Sequence, residues 1–489
     1  MNTPRVFVLG LDGADEFSLG AAVRKGLMPT LTKLVGDRLY PLRSTPLPIT
    51  PAAWTAAYTG LNPGKTGVLT FQRRLPNTYR GRIVNSSDVG DLGFPTRLAA
   101  SGKRVVSIGY PMMSPPPSSD ALIISGWDAS PGAPVTNHAR LAALIERHGL
   151  RIEDEFESDV ATLTRAVKAR FAVLSDLVRT GEWDCAMLYL GFIDSLGHRL
   201  GAQNAPTMEL LALTDRELAK LLELFPSDVS FIVCSDHGFG SFSRSFSVMQ
   251  WLEEHGYLTL RSRSFRSAES VPGVDLMDLE TGVIDWSNTR AFCWEAVGRH
   301  AGISLNLKGD FPSGIVNPRD AFALARELID ELLATRDAGG NPLIVDARRR
   351  EELFWGPHVS EFPEIFLETA PDVTAFVGKR TRVDGGFDLE AGSVHEGSFN
   401  SHHDDGIWGC SFPIYADKLG VEDLAPTVYA LLGLPIPDIC DGSNLSSAQV
   451  GRAAHAAQDH TMVQVSGNNA YSAEEEEIVR KRLEDLGYL

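Results

Sequence analysis

The chain is poor in cysteine for its length. Five are present among 489 residues, Cys185, Cys234, Cys293, Cys410 and Cys440, and no CxxC pair occurs. An odd, scattered set inside apolar runs excludes a disulfide framework and a four-cysteine zinc site, and it reads as reduced, buried thiols. Long apolar runs are lacking as well. No stretch reaches about 18 apolar residues, so no transmembrane helix is expected. The start runs straight into Val6-Phe7-Val8-Leu9 without the basic, apolar and small-residue pattern of a signal peptide. These absences together lead to an expected cytoplasmic location and no membrane partner. Positive charge is in deficit, with a formal net charge of -18. That balance argues against a broad grip on nucleic acid polymers or anionic lipid. It leaves a small anionic substrate open, because a bound cation sets its own local field. No internal repeat occurs.

What remains is ordinary for a soluble enzyme, with 43% hydrophobic and 22% charged residues. Strand and helix patterns alternate: strands at 5–11, 104–109, 186–190 and 229–233, helices at 29–35, 158–180 and 206–224. This β-α alternation predicts a mostly parallel central sheet covered by helices on both faces. Thr50 reads as a helix N-cap, with Pro51 at the first helical position and Gly60 as the stop. The core is expected over 1–282 and 396–445, with an inserted cap at 283–395. The Ser/Arg-rich 262–282 stretch reads as a loop or domain edge. Residues 446–489 read as a polar extension whose final helix, opened by Glu474-Glu475-Glu476-Glu477, is a solvated appendage.

Three short segments carry chemistry. Asp194-Ser195-Leu196-Gly197-His198 follows one buried strand, and Ser235-Asp236-His237-Gly238 follows another. Ser401-His402-His403-Asp404-Asp405-Gly406 is the third. Asp194 and His198 share a helical face, being four apart. Asp236 and His237 are adjacent ionisable residues at a core edge and need a partner. Asp12, at the end of the first strand, adds a fourth group. Strand ends are where ligands converge in α/β sheets, and mixed Asp/His sets suit a borderline divalent cation. Each motif alone has a plain structural reading: Asp12 as a turn residue, Thr50 as a cap, Asp194/His198 as a surface pair. Their joint occurrence in this order favours a metal site. A helix N-terminus would also favour Thr50 as a nucleophile toward phosphate. The Gly64-Lys65-Thr66 run fails as a phosphate-binding loop, since it follows a helix and Thr59 stands where a glycine is required.

Taken together, Gly10-Leu11-Asp12-Gly13, Pro48-Ile49-Thr50-Pro51-Ala52-Ala53-Trp54, the three segments above and Leu424-Ala425-Pro426-Thr427 resemble the alkaline phosphatase superfamily. The likeness covers roughly 5–445 and is to its type I phosphodiesterase/nucleotide pyrophosphatase branch and the bacterial phosphohydrolases and phosphomutases related to it. The resemblance implies an alkaline-phosphatase-like sandwich with an inserted cap. It implies one divalent ion on Asp194, His198 and His402, and a second on Asp12, Asp236, His237 and the Thr50 oxygen. Zinc is the expected ion, with manganese as the alternative. His402 is preferred to His403 because it stands four residues before Gly406-Ile407. The implied activity is a two-metal hydrolase that cleaves a phosphodiester or phosphoanhydride in a small phosphorylated substrate through a covalent phosphothreonine at Thr50. The alternatives are a phosphomonoesterase or phosphomutase of the same superfamily, and a non-catalytic binder of a phosphorylated ligand. The chain departs from its relatives at Thr66, Phe71, Asp310 and His403, which removes two possible cationic contacts to substrate. Arg73, Arg74 and Lys308 are the expected replacements.

Overall fold

The computed structural model describes residues 4–36, 38–129, 135–157, 159–261, 264–266, 284–378, 380–383, 386–389, 393–448, 451–453 and 471–485. The 262–282 stretch, apart from 264–266, lies outside them.

Five strands run parallel at the centre. Arg5–Leu11 lies between Cys185–Leu190 and Val229–Cys234, with Val105–Ile108 and Leu122–Ile124 beyond Cys185–Leu190. On the other side Asp405–Cys410 joins antiparallel, and Leu39–Arg43 closes the edge. The inner strands are mostly apolar because both faces are covered. Val6 and Val8 enter one core with the Thr50–Thr59 and Leu424–Leu431 helices. Phe7, Leu9 and Leu11 enter the other with the Val160–Val178 and Ala205–Leu222 helices. This is the expected α/β class, a mostly parallel sheet between helical layers. Register matters for the site. Leu11 pairs with Leu190, and Gly10 with Cys234. The segments that follow all three strands therefore leave the same sheet edge side by side.

A third hydrophobic cluster gathers many of the buried apolar residues between 284 and 377 together with Tyr79, Phe246, Val248, Met249, Trp251, Leu252, Tyr257 and Leu258. Its frame is an antiparallel sheet ordered Ala291–Val297, His300–Leu305, Ile365–Thr369, Ile344–Arg349, and it includes the Ala321–Ala334 helix. Gly238–Ser247 leads into this unit from the central sheet and Val394–His403 returns antiparallel to it, so that His402 pairs with Phe239. The return strand thus brings His402 back beside His237.

Two details differ from the sequence reading. The helix starting at Thr50 is capped by Ile49, and Thr50 is its first helical residue. Ile49 is extended and its carbonyl accepts the Ala53 amide at 3.0 Å. Pro51 lacks an N–H and is tolerated one position later just as well. Thr50 therefore spends no side-chain bond on capping. The final helix, Ala473–Asp485, is no solvated appendage. Val479 and Leu483 are buried in the first core, because an apolar stripe on an otherwise charged helix packs where it can leave water. Among the described residues no helix is long and apolar enough to cross a membrane. All five cysteines are free and buried.

Candidate metal centre and nucleophile

Asp12 is the first residue of the turn after the Arg5–Leu11 strand, its amide donating to the Leu190 carbonyl at 3.0 Å. Its carboxylate is buried, and Oδ2 accepts from Trp54 Nε1 at 2.9 Å and from the Tyr189 hydroxyl at 2.6 Å. Gly10 makes this approach possible, since a Cβ there would lie 2.8 Å from the Trp54 ring and 2.7 Å from the Tyr110 hydroxyl. Asp12 Oδ1 accepts no hydrogen bond among the described residues and lies 3.5 Å from His237 Nε2. Gly13 turns the chain at φ +69°, and a Cβ there would press on the Asp194 Cβ at 3.0 Å.

Asp194 and His198 sit on the Phe192–Leu200 helix, one turn apart as expected. Asp194 Oδ1 lies 3.5 Å from His198 Nε2 and 3.3 Å from His402 Nε2. Asp236 and His237 occupy the tight connection between the Val229–Cys234 and Gly238–Ser247 strands. Asp236 Oδ1 faces the Gly13 amide at 3.4 Å, while Oδ2 accepts no hydrogen bond among the described residues and stands 3.2 Å from His237 Nε2. Ser235 ties the loops together, accepting from the Ala14 amide at 2.9 Å and donating to the His237 carbonyl at 2.6 Å. Thr50 is fully buried with its Oγ1 3.5 Å from His237 Nε2.

Tautomers follow from these contacts. His402 Nδ1 stands 2.7 Å from the Pro48 carbonyl, and His237 Nδ1 3.0 Å from the Gly238 carbonyl. A carbonyl only accepts, so in both rings Nδ1 carries a proton and Nε2 is the atom turned inward. Those Nε2 atoms meet carboxylate oxygens at 3.2–3.5 Å. Each such approach needs a proton or a metal cation between the two atoms. Burial, and then the Asp194 charge, pushes the Asp12 carboxyl well above the usual carboxylate range. Burial, and then Asp12 and Asp194, does the same to Asp236. Burial would raise Asp194 too, but the His198 and His402 imidazoles outweigh it and hold that carboxyl low. Burial lowers His198 to about 4 and takes His237 well below its ordinary value, so both rings are neutral, as metal ligands must be. Neither Asp12 nor Asp236 has a lysine or arginine partner among the described residues. The residues fit divalent cations by donor chemistry. Asp194, His198 and His402 form one group with ligand atoms within 4.8 Å of one another, and Asp12, Asp194 and His237 form another. Asp194 is common to both, and Asp236 adjoins the second through its contact with His237.

The three cations expected at the substrate lie apart from these seven residues in their described contacts. Arg73 is held by Glu361 at 2.9 and 3.0 Å, with His358 and Asp88 alongside. Arg74 donates to the Asp310 carbonyl at 3.1 Å and lies over the Phe311 ring. Lys308 is exposed. His403 is half-buried, with its ring edge near Gly240. Sequence reasoning assigned no role to Trp54, Tyr189 or Ser235. Trp54 stands one helical turn beyond Thr50, a spacing that could have singled it out. Tyr189 reads as an ordinary strand residue and carries no such signal.

The sheet, the donor set at its edge and the returning strand are the features that the comparisons with known proteins address. The profile of the family described as "Type I phosphodiesterase / nucleotide pyrophosphatase" matches residues 6–398, and the chain belongs to that family. Phosphonoacetate hydrolase from Sinorhizobium meliloti 1021, in complex with phosphonoformate, superposes with a TM-score of 0.58 at 19% identity, covering 88% of this chain and 96% of that one. Its complex with phosphonoacetate gives 0.57 at 18% identity, again over 88% and 96%. An inactive form of murine ectonucleotide pyrophosphatase/phosphodiesterase 5 in complex with AMP gives 0.50 at 15% identity, over 91% of this chain and 97% of that one. No curated protein sequence matches the chain. Family membership supports a phosphoester hydrolase.

Proposed function

We propose that the protein is a metal-dependent phosphohydrolase that cleaves a phosphodiester or phosphoanhydride with Thr50 as nucleophile. One observation carries the reading: the Thr50 hydroxyl lies in the same cluster of side chains as three carboxylates and three imidazoles, beside His237. Two divalent ions bound by these ligands would supply Lewis-acid stabilisation of the attacking oxygen and of the phosphoryl charge. The Thr50–Thr59 helix presents its positive end to the same place. Thr50 Oγ1 loses its proton to solvent and bonds to phosphorus as the leaving-group P–O bond breaks. Water then attacks phosphorus, the Oγ1–P bond breaks, and the hydroxyl is restored. Tyr189 and Trp54 hold Asp12 in one rotamer throughout, and Pro48 and Gly238 fix the imidazole tautomers. Zinc suits the donor set and manganese is the alternative. Lys308, exposed beneath no described ion pair, is our candidate contact for the distal part of a small phosphorylated substrate.

The test is phosphate and p-nitrophenol release by metal-loaded and metal-stripped protein. Bis(p-nitrophenyl) phosphate, p-nitrophenyl phosphate, a nucleoside triphosphate and phosphonoacetate make the panel. Metal-dependent turnover, fastest on the diester or the anhydride, supports the reading. No turnover of any ester with bound metal would leave a phospho-ligand binder, and preference for the monoester would leave a phosphatase or mutase.

A further inference from the structure

The final helix reaches the metal centre through a chain of hydrogen bonds. Arg482 Nη1 donates to the Trp127 carbonyl and, at 2.9 Å, to the Ala129 carbonyl. Tyr471, just ahead of the helix, donates its hydroxyl to the Asp128 carbonyl at 3.0 Å. Three successive carbonyls are thus capped by one segment that lies more than 340 residues away in the chain. Val479 and Leu483 anchor that segment in the core, and Glu476 accepts the Ile83 amide at 2.9 Å.

Trp127 is fully buried, and its indole Nε1 points at the Tyr189 hydroxyl, 3.3 Å away. An indole N–H can only donate. The Tyr189 oxygen must accept it, and its single proton is then directed elsewhere. The available acceptor is Asp12 Oδ2, 2.6 Å distant. Trp54 donates to the same oxygen. With Oδ2 held by two donors, the Asp12 carboxylate is fixed in rotation and its other oxygen, Oδ1, is turned to His237.

We propose that the C-terminal helix is a positioning element of the metal centre: Arg482 and Tyr471 hold Trp127, and Trp127 orients the Tyr189 hydroxyl onto Asp12. The proposal rests on reading Asp12 as a metal ligand and adds residues remote from the chemistry that set its geometry. Groups that orient a ligand carboxylate typically change metal affinity by about 10- to 100-fold when removed. Because Arg482 and Trp127 act in series, their effects should not add.

The experiment uses the full chain and titrates stripped protein with MnCl2 and with ZnCl2 by calorimetry, which reads metal uptake without turnover. Trp127→Phe keeps most of the ring and drops the donor, and Arg482→Met keeps the side-chain stem. Lys481→Met, on the exposed side of the same helix, is the control and should bind as the wild type does. Each of the first two variants is expected to weaken one of two metal equivalents by about 10-fold or more, with the double variant no weaker than the worse single one. Arg482→Lys, which can still donate to a carbonyl, should recover part of the loss, and it carries the test if Arg482→Met does not fold. Wild-type affinity in Trp127→Phe or in folded Arg482→Met, or losses that simply add, would overturn the proposal while leaving the hydrolase reading intact. A wild-type protein that takes up neither ion would overturn both.

Discussion

The Nε2 atoms of His198 and His402 stand 3.1 Å apart across 204 residues of sequence. His402 donates from Nδ1 to Pro48, so Nε2 is its inward-facing atom. Two imidazoles sharing a tetrahedral zinc at about 2.0–2.1 Å would hold their nitrogens roughly 3.3 Å apart. The observed spacing already approaches the geometry that one ion would require. His402→Ala should therefore lose one of two metal equivalents, measured by elemental analysis after dialysis, while the second equivalent remains.

Thr50 carries no capping bond, which leaves its hydroxyl available for chemistry. Thr50→Ala should reduce turnover by about 10³-fold or more and leave metal content unchanged. Thr50→Ser, which keeps the oxygen, should retain measurable rate. Acid quenching during turnover should trap the transferred phosphoryl group, with its remaining ester substituent when the substrate is a diester, on the wild-type chain and none on Thr50→Ala. Full activity in Thr50→Ala would remove this residue from the mechanism.

Glu155 and Arg170 form a buried ion pair behind the centre, and Glu155 Oε1 also accepts the Gly191 amide at 2.6 Å. Gly191 caps the helix that bears Asp194 and His198. Removing one partner of such a pair leaves a charge without compensation and costs about 3–5 kcal/mol. Glu155→Ala should show a loss of that size in denaturant unfolding of the metal-free protein. Glu155→Gln, which can still accept from Gly191, should lose less.

Burial pushes the Glu295 carboxyl up to about 8, against a hydrogen bond from Thr70 at 2.5 Å that opposes the shift. A carboxyl whose folded value exceeds its unfolded one binds its proton more tightly when folded. Its contribution is present below the unfolded value of 4.5 and is lost as pH rises through about 8. Between those limits the wild type should lose stability relative to Glu295→Gln, measured as the difference in melting temperature across the range. A difference that is flat with pH would mean that Glu295 is ionised throughout.

Much of this was legible beforehand, and the reason is physical. Asp194 with His198, and Asp236 with His237, follow apolar strands, so their placement at a sheet edge needs only β-α alternation. His402 needed more. Its neighbours in space are set by the antiparallel register of Val394–His403 on Gly238–Ser247, which no local pattern encodes. The Thr50 cap was misread by one residue because threonine and isoleucine both precede Pro51 and only the backbone dihedrals separate them. The final helix was misread because Glu474 to Glu477 dominate its composition while Val479 and Leu483 decide its packing. Arg73 looked like a free cation in sequence; its acidic partner Glu361 lies 288 residues away.

The proposed site is two cations gathered beside one hydroxyl. Diffraction from crystals grown with zinc or manganese, recorded at the metal absorption edge, tests that directly. Two anomalous peaks about 3.5–4 Å apart are expected, one against Asp194, His198 and His402, the other against Asp12, Asp236 and His237 with Thr50 Oγ1 alongside. A map with no peak among these side chains at saturating metal would contradict it.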